Sequence, residues 1–317
     1  MSTPDSQEKL KEEAKAIRTR LDTLIKDADP QKRMMRSACI YAGMITETLM
    51  EYEEPDVVME QAFHRIADLL RTNPAGEDDA PYAGLPPAYV VDHDTELGRH
   101  LARAVAKKLP KGMDDIHEIA IALIIDDFPS WEKHGMPRAD SLKILIETVI
   151  ASLTFEMAAQ DFCDLLIEEF IADNRHTTAE AVVALSALAG YVFAQAKAYK
   201  ALPADAEKEF TNVMIRESVR HGTPGPKDWN MLAAANDAQA ERIPEYVKKL
   251  EPNIDEFFAL IGMEDKLGQA VAIAKAAGRM VAVITVEDVG QMHTSIAKSL
   301  AKTGMILGSR YLDEAKA

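Results

Sequence analysis

The chain has 317 residues, with 36 Lys and Arg against 52 Asp and Glu, a formal charge of −16, 47% hydrophobic and 6% aromatic residues. That length is enough to bury one large core or two smaller ones without disulfide staples. The negative charge argues against a nucleic-acid partner, because counterion release by basic side chains supplies most of such affinity.

Helical periodicity is nearly continuous, and Pro and Gly fall where helix ends belong, so an all-α fold is expected: a multi-helix bundle or irregular α-solenoid of about a dozen helices. The first, over 5–28, carries Leu10, Ala14, Ile17, Leu21, Leu24 and Ala28 at spacings of 4 and 3, the a/d stripe of a heptad. Glu12, Glu13, Lys15, Arg18 and Lys26 are read as its solvent face. A stripe this short is not a stable coiled coil by itself, so it must dock on its own chain or on a second copy. Leu10, Ile17, Leu21 and Leu24 are therefore candidate interface residues for a homodimer.

Asp29-Pro30 and Glu54-Pro55 start the helices over 30–53 and 55–73, with proline at the first helical position, where its missing N–H has no cost. The stretch 75–92 is rich in Pro and Gly and reads as a connector between an N-terminal helical unit, 1–74, and a main helical domain, 93–317. Within that domain, helices are expected over 94–109, 113–127, 139–158, 160–174, 178–201, 204–221, 227–241, 243–261, 264–277 and 286–302. Stops are read at Leu109-Pro110, Phe128-Pro129 and His221-Gly222, and capping patterns at Thr177-x-x-Glu180 and Thr285-x-x-Asp288. The apolar run Ala181–Ala196 is short of the roughly 20 residues of a membrane span and reads as the most buried helix. Gly278–Val286 is rich in β-branched residues, but a lone strand would leave its ladder unpaired, so it is read as helix or helix junction.

Charge is concentrated in the middle, with fifteen acids against four bases between Met113 and Glu180. Asp126, Asp127 and Glu132 stand there as candidates for docking a basic protein partner. Cys39 and Cys163 are far apart, and the hydrophilic first thirty residues show no signal-peptide pattern, so buried thiols in a cytoplasmic protein are expected.

Chemical motifs are sparse: there is no Gly-rich phosphate loop, no Gly-x-Ser-x-Gly elbow and no Cys-x-x-Cys pair. Three histidines follow a Glu by four residues, Glu60/His64, Glu96/His100 and Glu217/His221, a spacing that places both side chains on one helix face. His64, the pair His93-Asp94, and Asp126 or Asp127 also occur in the order that resembles an all-helical phosphohydrolase of the His-Asp type. Here, however, the His-Asp pair follows a Pro-rich loop and opens a helix, where that family closes one. These residues suggest a non-catalytic cytoplasmic helical protein that binds a protein partner or itself, with no cofactor. Two alternatives stand beside it: a metal-dependent helical hydrolase holding a divalent metal on His64, His93, Asp94 and Asp127, and a small-ligand binder with an apolar pocket lined by Met and Tyr.

Overall fold

The computed structural model describes residues 4–25, 29–50, 85–166, 177–223, 241–286 and 292–315. Among them lie ten α-helices and no strand: α1 (Pro4–Leu24), α2 (Pro30–Leu49), α3 (Ala88–Ala106), α4 (Met113–Lys133), α5 (Arg138–Leu166), α6 (Thr178–Tyr199), α7 (Ala206–Arg220), α8 (Ile243–Leu260), α9 (Lys266–Val286) and α10 (Thr294–Ala315). The expected helices over 55–73 and 227–241, and most of the connector 75–92, lie outside the described residues. The chain divides into two compact units, Met1–Leu153 and Thr154–Ala317.

Local chemistry explains the helix starts. Asp29 caps α2 by accepting from the Gln31 amide at 2.9 Å, with Pro30 in the first helical position. At α6 the Thr177 hydroxyl accepts from the Glu180 amide and the Glu180 carboxylate accepts from the Thr177 amide, a complete capping box.

Several boundaries differ from the sequence reading. Phe128-Pro129 does not stop α4, which runs on to Lys133. Proline there removes only the bond to the carbonyl of Ile125, a residue 39% exposed and so open to water, while Phe128 and Trp131 stay buried on the inner face. The helices expected over 139–158 and 160–174 are one helix as far as Leu166, because Ala158 and Ala159 favour helix and are buried within it. Thr285 lies inside α9, where its hydroxyl donates to the Val281 carbonyl at 2.7 Å, and Asp288 lies outside the described residues. Gly278–Val286 belongs to the same helix.

In the first unit α2 packs most extensively on α3 and also on α4, and α1 lies on α4. The α2–α3 crossing brings backbones into contact: a Cβ on Gly98 would sit 1.9 Å from the Ile40 carbonyl oxygen, and one on Gly43 would sit 2.0 Å from that of Thr95. The stripe of α1 docks within the chain. Ile17 and Leu21 are 2% and 3% exposed and Leu10 and Ala14 pack on the same core. The sequence reading erred at its end, where Ile25 is buried and Leu24 is 41% exposed. Arg18, placed on the solvent face by that reading, lies on the flank of the stripe and reaches Asp127.

In the second unit α6 packs chiefly on α10 and α9, α9 also packs on α7, and α8 covers α6. α6 and α10 touch at glycine as well, a Cβ on Gly308 falling 1.9 Å from the Ala187 carbonyl oxygen. By length and composition α6 and α9 each suffice to cross a membrane, but their most apolar windows are 83% and 94% buried inside the protein, so α9 rather than α6 is the more enclosed helix.

Two substitutions test this packing. On propensity alone Gly98→Ala should stabilise a helix by about 1 kcal/mol; at the α2–α3 contact it should instead destabilise the protein by about 1–3 kcal/mol in urea unfolding, and a gain would refute the backbone contact. Leu21→Asp should lower stability by more than about 2 kcal/mol, equally at low and high protein concentration; a loss that depended on concentration would place the stripe at an interface between chains.

Candidate functional site

The first unit contains a cleft of about 380 Å³ bounded by α1, α2 and α4. Leu21 and Ile25 from α1 and its end, Met34 from α2 and Trp131 from α4 supply apolar wall. On α2, Arg33, Met34, Ser37 and Tyr41 recur at helical spacing and so share one face. Trp131 is 3% exposed, stacked on Tyr41 and edge-on to Phe128.

Two ion pairs of different character cross the cleft. The inner one joins Arg18 to Asp127 Oδ1, while Asp127 Oδ2 accepts from the Tyr41 hydroxyl at 2.6 Å; Arg18 also donates to the Leu123 carbonyl at 3.2 Å. Burial, then the charge and hydrogen bond of Asp127, push the Tyr41 hydroxyl far above the usual phenol range, so it stays a proton donor. The outer pair joins Arg33 to Asp22 at 2.5 Å, with the two side chains 48% and 58% exposed. His134 and Ser130 stand exposed at the lip.

Among the described residues, those proposed for a metal are held by other partners. Asp94 is fully buried; Arg36 grips it with two hydrogen bonds of 3.0 and 3.1 Å, and His93 Nδ1 lies 2.8 Å away. Burial raises its pKa, but the bonds from His93 and Arg36 and the Arg36 charge outweigh that and hold it below the usual carboxylate range. Asp127 is engaged as described above, and His64 lies outside the described residues. Among the described residues no three His, Cys, Asp or Glu side chains are grouped to share a metal ion. Cys39, buried near Asp94, has its thiol pushed up to about 12, so it remains protonated and unreactive. Of the acids offered for a basic partner, Asp126 is exposed, Glu132 is paired with Arg138 at 2.7 Å and Asp127 is inside the cleft.

A second ionic cluster lies wholly inside the second unit. Glu156 pairs with Lys275, Arg279 and Arg220 at 2.6, 2.6 and 2.8 Å; Glu217 pairs with Arg279 at 2.6 Å and Lys275 at 3.2 Å. His221 Nε2 is 3.0 Å from Glu217. The Glu217/His221 spacing was therefore a real contact, but one that joins a buried carboxylate and not two surface groups. Burial raises the Glu217 pKa, and Lys275, the His221 hydrogen bond and the two arginines drive it well below the usual range. In the Glu96/His100 pair, Glu96 turns instead to Arg103 at 2.8 Å, and His100 is exposed.

No family model, curated protein or solved structure matches the chain.

The state of Asp94 is open to measurement. Because its folded pKa is depressed, its stabilisation is present above the unfolded value of about 3.9 and is lost as pH falls through the lower folded value. Asp94→Asn should cost about 2–3 kcal/mol at neutral pH, and urea unfolding at stepwise lower pH should show that deficit closing only in the acid range below the ordinary aspartate value. A deficit that is the same at all pH values would mean the Arg36–Asp94 charge pair is not its source.

Proposed function

We propose that the protein is a non-catalytic helical binding protein that takes a small ligand in the α1–α2–α4 cleft, the rest of the roughly dozen-helix bundle serving as its scaffold. One observation carries this reading: both oxygens of the innermost carboxylate, Asp127, are already filled by Arg18 and Tyr41. The cleft thus offers fixed charges, hydrogen-bond donors and apolar wall, and its innermost carboxylate has no oxygen left to take a proton from a substrate. Its volume of about 380 Å³ falls within the range of small-molecule sites, about 300–1,000 Å³.

Geometry gives less support to the other readings. A metal hydrolase would draw on Asp94 and Asp127, each held by an arginine. A dimer through α1 would draw on Ile17 and Leu21, which their own chain covers. A basic protein partner would meet Asp126 but find Glu132 and Asp127 paired. Two buried cysteines that are not joined in a disulfide fit the cytoplasmic setting that we also propose.

A thermal-shift screen of amino acids, organic acids, sugars, nucleosides and amines tests the proposal. At least one compound should raise the melting temperature of the wild type. That shift should disappear in Ser37→Trp, which fills the cleft, and in Ser130→Trp, whose bulk sits at the exposed lip and spares the core. If no compound shifts the wild type, or the shifts survive both substitutions, the cleft is not a ligand site.

A further inference from the structure

The chemistry of the cleft walls narrows the ligand, and this step rests on the small-ligand reading above. We infer that the cleft binds a small zwitterion, with an ammonium and a carboxylate close together and an apolar side chain. Its two charge pairs are not equivalent. The inner pair is 34% and 14% exposed and tied further by Tyr41 and the Leu123 carbonyl. The outer pair, Arg33 and Asp22, is about half exposed, and pairs so solvated are worth about 0–1 kcal/mol, so a ligand can open it at little cost.

Opening it offers one cation from α2 and one anion from α1. A ligand carboxylate suits the planar fork of Arg33. An ammonium beside it meets Asp22. A ligand with a carboxylate alone would face Asp22 as a like charge, and one with an ammonium alone would face Arg33 in the same way. Apolar wall adjoins each charge in the sequence: Leu21 precedes Asp22, Ile25 follows one helical turn later, and Met34 follows Arg33, with Trp131 facing them from α4. An aliphatic or aromatic side chain attached near the two charges would lie on that wall.

Isothermal titration of the full chain at low salt with L-leucine, L-phenylalanine and leucyl-leucine tests the inference, against N-acetyl-L-leucine as carboxylate alone and L-leucinamide as ammonium alone. At least one zwitterion should bind, and the two singly charged compounds should bind at least tenfold more weakly than leucine or not at all. Arg33→Gln and Asp22→Asn, both at exposed positions and checked for an unchanged helical spectrum, should each weaken zwitterion binding at least tenfold. Lys266→Gln, which breaks a comparable pair with Asp255 in the second unit, should leave it unchanged. Equal binding of leucine and either singly charged compound overturns the zwitterion class and leaves the small-ligand reading standing. So does silence from all three zwitterions when the screen above has found another cleft ligand; silence in both experiments overturns both.

Discussion

Contact between helix backbones is the constraint from which the rest of the structure follows. At Gly43 and Gly98 in one unit, and at Gly190 and Gly308 in the other, each missing side chain faces a carbonyl oxygen of the neighbouring helix that a methyl group would strike. Such closeness multiplies weak dispersion contacts and allows Cα–H to carbonyl contacts. It also fixes each helix in rotation. Two residues apart on a helix means about 200° of rotation, so with Gly43 turned to α3, Tyr41 must turn away, to the face that α4 and the cleft occupy. Met34 and Ser37 share that face. The contact with α3 thus decides what the cleft is made of.

The same logic accounts for the ionic cluster of the second unit. A Cβ on Gly278 would lie 2.5 Å from the Met214 carbonyl oxygen and 2.9 Å from the Glu217 side chain, so α9 and α7 are pressed together there. Lys275, one turn earlier on the same face, and Arg279, the next residue, are carried directly onto Glu217 and Glu156. Charges so deep in a low-dielectric interior are tolerated only when paired and hydrogen-bonded. Replacement by apolar residues of similar volume would often leave stability little changed, so these pairs are better evidence for a fixed register than for a large contribution to stability.

Much of this was legible in the sequence wherever one residue's local preference decides the outcome. Asp29-Pro30 and Thr177-x-x-Glu180 announce helix starts because capping is local chemistry, and the apolar periodicity of α1 shows which face docks. What was not legible depends on neighbours distant in sequence. Pro129 breaks a helix in isolation, yet the burial of Phe128 and Trp131 carries α4 past it. Glu217 and His221 read only as two side chains on one helix face, because nothing near them in sequence shows that Lys275 and Arg279 will enclose the glutamate. His93-Asp94 reads as a metal dyad until Arg36, 58 residues away, occupies the carboxylate. The cleft itself was legible only as an apolar pocket of Met and Tyr, since its charges come from three helices, α1, α2 and α4, that only the fold brings together.

One detail of α1 shows how fine the dependence is. A heptad continued through Leu24 would centre the buried stripe between Leu21 and Leu24 and leave Asp22 about 130° away, pointing to water. A straight helix drifts out of heptad register, and here Ile25 replaces Leu24 in the core. The centre of the stripe moves toward Ile25, and Asp22 then lies about 80° from it, on the flank. Arg18, four residues earlier, shares that flank. From there Arg18 reaches Asp127 on α4 and Asp22 reaches Arg33 on α2. The exchange of one buried leucine for the isoleucine beside it thus converts an amphipathic helix with a plain polar back into one wall of a charged cleft.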